Sequence, residues 1–157
     1  DPRSILFINF WNSFFKKKNY FVRFLYCFRH PYLISKSIMK RDKMKRGESF
    51  LFILQNWYLI LKNIKKNDEK IFLDYDLLIL DSKKFCKDLQ KKSFKNLNND
   101  KYLFFQKKIL NKKNQRNINF KIKNNQVYDI LLEIYHYFKK PKRNELLKLI
   151  KKIEKYY

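Results

Sequence analysis

The stretch Phe21-Val22-Arg23-Phe24-Leu25-Tyr26-Cys27-Phe28-Arg29-His30-Pro31-Tyr32-Leu33-Ile34-Ser35-Lys36-Ser37-Ile38 decides the reading of this chain. Seven of the eight residues from Phe21 to Phe28 are apolar or aromatic, and so short a run suits a strand buried on both faces better than a helix. Arg29 then stands at the strand's carboxyl end. Pro31 has a fixed φ and no N–H, which suits a first helical position, so a helix is expected from Pro31 to Lys40 with Ser37 about two turns in. Leu33, Ile34 and Ile38 are its expected inward face. In an open parallel sheet, ligands bind at such strand ends.

Working outward, Arg41 to Gly47 reads as a polar loop. Glu48 to Ile64 carries apolar residues at 50, 53, 54, 57, 61 and 64, the spacing of a helix buried along one face. Trp57 lies on that stripe and reads as core. Ile71 to Tyr75 is the next expected strand, parallel to the first, and the alternation of short apolar runs with helical stripes defines an α/β class. Asp81 or Ser82 can cap a helix to about Lys92. Phe94 to Asp100 is loop-like, Tyr102 to Leu110 has helical character, and Asn111 to Asn125 is rich in Lys and Asn. Gln126 to Phe138 and a last segment opened by Pro141 have helical spacing and suit a hairpin. Towards the start, Ser4 to Phe10 reads as a strand end leading into a short helix from Trp11 to Lys17. His136 reads as a surface residue.

Arg29-His30-Pro31 with Ser37 eight residues after the Arg is similar to the 3′-phosphate-binding motif of sulfotransferases that use 3′-phosphoadenosine 5′-phosphosulfate (PAPS). Asp1-Pro2-Arg3, an aromatic segment with Trp11, the strand with Arg-His-Pro, the aromatic helix with Trp57, and Asp74-Tyr75-Asp76-Leu77-Leu78 resemble, in that order, the C-terminal half of bacterial sulfotransferase-like proteins. The resemblance is densest from Phe21 to Leu78 and extends from Asp1 to Phe94. It implies a three-layer, parallel-sheet, P-loop-NTPase-like sulfotransferase fold, incomplete at its N-terminus, with C-terminal helices. Residues 1–94 would be the C-terminal half of that α/β domain, 95–125 a partly irregular Lys/Asn-rich segment, and 126–157 a helical hairpin.

The implied function is transfer of a sulfuryl group from PAPS to a hydroxyl or amine acceptor, with Arg29 and Ser37 holding the cofactor's 3′-phosphate. Arg29 offers a planar fork matched to phosphate oxygens, Ser37 a hydroxyl, and the helix start near Pro31 positive partial charge. In the competing arrangement Arg29 pairs with a carboxylate such as Asp76 and Ser37 is a small packing residue. Asp1 and Arg3 are further candidates for acceptor or cofactor contacts. The family's cytosolic animal members place a catalytic His on the strand equivalent to Ser4–Phe10; this chain has none there, so the general base is unassigned. Tyr75 and Asp76 are expected to fix a strand-to-helix connection. The 5′-phosphosulfate needs a loop of backbone N–H groups with Gly for close approach, and the one Gly, Gly47, has no strand before it. The 5′ half of the site is therefore expected upstream of Asp1, and the chain alone is expected to be inactive.

Composition sets the alternatives. With 157 residues, 45% of them hydrophobic, the chain has enough apolar mass for one core. Its formal charge of +24, from 38 Lys and Arg against 14 Asp and Glu, raises a basic nucleic-acid-binding protein as the competing class. The charge is spread along the chain, however, and the sequence has no Ala or Thr while abounding in Lys, Asn, Ile, Phe and Tyr, the pattern of an AT-rich coding sequence. A degenerate family member kept as an interaction protein is a third reading. Cys27 and Cys86 form no Cys-x-x-Cys, so no disulfide framework or zinc ribbon is indicated, and no metal is expected. No apolar run approaches the ~20 residues needed to span a bilayer, and with no signal-peptide pattern the expected location is cytoplasmic.

Overall fold

A computed structural model of the chain describes residues 6–64, 69–91 and 125–156, apart from the side chains of Glu69 and Arg143. The elements run α1 (Ile8–Lys17), β1 (Arg23–Phe28), α2 (Pro31–Asp42), α3 (Arg46–Asn63), β2 (Glu69–Asp74), α4 (Tyr75–Leu80), α5 (Ser82–Lys91), α6 (Gln126–Lys139) and α7 (Arg143–Glu154). The described residues are thus mixed α/β, mostly helical, with a two-stranded parallel sheet. β1 pairs with β2 from Arg23 opposite Glu69 to Phe28 opposite Asp74, so both carboxyl ends lie on one edge. Parallel strands need a long crossover, and α2 and α3 supply it.

Local chemistry sets the element ends. Pro31 opens α2, and Lys43 closes it in the left-handed region at φ 55°. Glu48 accepts from the Lys45 N–H at 2.8 Å at the start of α3, half of a capping box. The Asp74 carboxylate accepts from the N–H groups of Asp76 and Leu77 and so turns β2 directly into α4. Asp81 and Asn125 cap α5 and α6 in the same way.

One core joins the two strands with α2, α3, α6 and α7. Phe50, Leu54 and Leu61 of α3 and Leu131 and Ile134 of α6 are fully buried, and Ile153 of α7 joins them. Phe138 links α6 to the sheet and to α3: its ring lies 5.0 Å from Phe72, 5.6 Å from Phe28 and 5.3 Å from Trp57. Trp57 is buried, as its place on the stripe requires, and His136 is exposed.

The structure corrects several expectations. β1 begins at Arg23, and it is covered on one face only: Tyr26 and Phe28 are buried, whereas Leu25 and Cys27 between them are exposed. A continuous apolar run does not say which of its two faces will find a cover. Tyr75 is the first residue of α4, because Asp74 caps there. α2 extends to Asp42 and α3 begins at Arg46, which reduces the expected loop to Lys43, Met44 and Lys45. Leu6 and Phe7 form a 3₁₀ turn into α1, so residues 6–10 are not a strand. Asp1, Arg3, Ser4, Phe94–Asp100, Tyr102–Leu110 and most of Asn111–Asn125 lie outside the described residues.

Candidate functional site

β1 ends at Phe28 against a buried aromatic cluster, and the chain then passes through Arg29 and His30 into α2. Arg29 cannot follow Phe28 inward, and its guanidinium finds a carboxylate from the neighbouring strand's exit. Arg29 Nε–H donates to Asp76 Oδ1 at 2.9 Å, and the backbone N–H of His30 donates to Asp76 Oδ2 at 2.8 Å. The Arg29 guanidinium carbon also lies 5.3 Å from the centre of the Tyr75 ring, within cation–π range. Asp76 is buried, while Arg29 keeps about a quarter of its side chain exposed, at 24%. Removing the Asp76 carboxylate would strand both donors, a loss of about 2–4 kcal/mol once Arg29's remaining access to water is allowed for.

Only Nε of Arg29 is used in this pair. Its two Nη atoms have no hydrogen-bond partner among the described residues. The carboxylate therefore pins the guanidinium from one side and leaves its terminal fork directed elsewhere. Asp74, which caps α4, is also 3.6 Å from Lys139 Nζ, and that ammonium sits 4.4 Å from the centre of the Tyr135 ring. Burial works against the Lys139 charge, but the Tyr135 hydroxyl and the Asp74 carboxylate outweigh it and hold its pKa above the ordinary lysine value.

Ser37 is exposed on α2. By helical rise it lies about 9 Å along the axis from Pro31, and among the described residues no hydrogen bond joins it to Arg29. It does not pack; the packing serine of this helix is Ser35, fully buried, whose hydroxyl is 2.5 Å from that of Ser49 on α3. The competing arrangement is thus present for Arg29, which pairs with Asp76, and absent for Ser37. His30 is a residue that sequence reasoning left without a role. It is buried edge-on against Tyr135 at 5.1 Å, and its Nδ1 makes no hydrogen bond to the described residues.

A cavity of about 330 Å³ opens beside these residues at the strand ends, lined by Phe28, Phe72, Asp74, Leu77, Phe85 and Lys139 among others. Arg29 and Ser37 do not line it. Gly47, the chain's one glycine, lies in the first turn of α3 with open space around it, rather than after a strand. At the strand ends the Arg29 fork thus keeps donors that no described residue takes up, and Gly47 forms no backbone cradle after a strand. Among the described residues, no group of His, Cys, Asp and Glu is placed to hold a metal ion. No helix among them is long and apolar enough to cross a membrane. Comparison with protein-family models, curated proteins and solved structures found no match.

Proposed function

We propose that this chain carries the 3′-phosphate part of a PAPS site and takes part in sulfuryl transfer to a hydroxyl or amine acceptor. The observation that supports it is the state of Arg29: held through Nε by a buried carboxylate, over the Tyr75 ring, and with no hydrogen-bond partner for either Nη atom among the described residues, at the carboxyl edge of a parallel sheet. A purely structural arginine would gain by using the whole fork against Asp76, since bidentate pairing is the stronger geometry. In this reading Arg29 binds the 3′-phosphate, the Ser37 hydroxyl donates to it, and the start of α2 adds favourable partial charge. Asp76 orients Arg29 and touches no ligand. PAPS when bound supplies the sulfuryl group, and the described residues assign no base to the acceptor.

Calorimetric titration of PAPS and of adenosine 5′-phosphosulfate, which lacks the 3′-phosphate, tests this. PAPS should bind more tightly to the wild type, and Arg29→Ala should lower its affinity roughly 10- to 150-fold, one charge-assisted hydrogen bond being worth ~1.5–3 kcal/mol. Ser37→Ala should cost less, and adenosine 5′-phosphosulfate should bind wild type and Arg29→Ala almost alike. Equal affinity of the wild type for both nucleotides would overturn the reading. A uniform fall of both with salt would return the chain to the class of basic nucleic-acid binders.

A further inference from the structure

Among the described residues, α1 and the segment after it carry most of the large apolar side chains that are exposed. Eight of the thirteen large apolar side chains exposed among the described residues lie between Leu6 and Leu25. The helix is nevertheless anchored. Ile8 packs against the core, Asn12 is buried, and the Asn9 side-chain N–H donates to Asn63 Oδ1 at 3.0 Å. That side of α1 faces the protein, so the row Phe7, Phe10, Trp11 and Phe14, at i, i+3, i+4 and i+7, faces away from it. These side chains are 44–60% exposed, and the rings of Phe10, Trp11 and Phe14 touch one another in a continuous ledge. Phe21, 73% exposed, lies in the segment that follows the helix. An apolar stripe of this spacing normally turns to the core; here the core side is already taken.

The charge around the ledge narrows what can cover it. Lys16, Lys17 and Lys18 follow the aromatic row, all exposed, and no acidic residue occurs from Leu6 to Phe28. A second copy of a chain of net charge +24 would bring like charge against like at this surface. An anionic bilayer meets both needs: the ring ledge enters the headgroup and acyl boundary, and the lysines reach acidic headgroups, each adding about fivefold to the affinity. We propose that α1 is an interfacial helix that docks the protein on an anionic lipid bilayer. Since Asn63 ends the helix leading to β2, this contact is at the amino edge of the sheet, and the carboxyl edge with Arg29 stays open to solution.

Co-sedimentation of the 157-residue chain with vesicles tests the proposal without reference to any nucleotide. Vesicles of phosphatidylcholine with a minor fraction of phosphatidylglycerol should carry the protein down, and phosphatidylcholine alone should do so poorly. Tryptophan emission should shift to the blue on the mixed vesicles and be quenched by brominated acyl chains through Trp11, because Trp57 is buried in either state. Phe10→Ser with Phe14→Ser, both at exposed positions, should lower partitioning by about tenfold or more, with circular dichroism unchanged. Partitioning that ignores this double substitution would show a general cationic surface and overturn the proposal. So would quenching that is absent, a wild-type dimer in light scattering that the substitutions dissociate, or single-stranded oligonucleotide binding that they abolish.

Discussion

Burial holds the His30 ring in a place where a proton is unwelcome. Desolvation lowers its pKa below the ordinary 6.5, Asp76 opposes that, and Lys139 and His136 add to it. The unfolded chain therefore takes up the proton first as pH falls. The corresponding stability is complete above the unfolded value and is lost as pH drops towards the folded one. The urea midpoint should accordingly fall between about pH 7 and pH 5.5, and His30→Gln should flatten that slope. An equal slope in the two proteins would place the sensitivity elsewhere. The same residue shows the limit of reading chemistry from a string. Asp76 was legible as a partner for Arg29 because both sit at strand exits, but nothing about His30 marks it as buried with an idle nitrogen. Lys139 was hidden differently, as one of many lysines on a distant helix. Ser35, not Ser37, proved to be the inward serine, since a polar side chain gives no sign that a hydroxyl from another helix, Ser49, will meet it.

Among elements, α6 contributes the most to the core's continuity, touching α2, α3, α7 and β2. Leu131 on it is fully buried, so Leu131→Ala should cost about 2–5 kcal/mol in chemical denaturation through lost transfer energy and the cavity left behind. Leu147→Ala on α7, where the side chain is 66% exposed, should stay within about 0.5 kcal/mol. A similar loss at both positions would show that Leu147 is buried in the folded chain as Leu131 is. Elements with a clear period were legible: α3, α5, α6 and α7 lie within a few residues of where spacing and caps put them. The parallel strands were legible as short apolar runs. α1 was legible only from Trp11 to Lys17; its first turn was expected as a strand end, because Leu6, Phe7, Ile8 and Phe10 are apolar on every side of the chain and the helix's stripe points outward, where the core gives no confirmation of period. The single covered face of β1 was illegible for a related reason: cover comes from other elements, and α6, which supplies it, lies about a hundred residues away.

On the scale of the molecule, a formal charge of +24 means that folding gathers mutually repelling lysines into a small volume. Exposed pairs such as Lys142–Glu145 and Lys62–Glu154 offset little of this. Raising sodium chloride from about 0.05 to 0.5 M shortens the screening length severalfold, and the thermal midpoint should rise; a fall would show that local ion pairs outweigh the net repulsion. Pairing β1 with β2 also sets an order in time. Arg23 must meet Glu69, 46 residues later (69 − 23), so the entropy of closing that loop has to be met before any ladder bond rewards it. α2 and α3, joined only by Lys43, Met44 and Lys45, can pack at once and lock through Ser35 and Ser49. Arg29 and Asp76 then come together only when the two strands close, so any ligand held at that edge recognises a chain that has finished folding, and a trapped intermediate would present no such site.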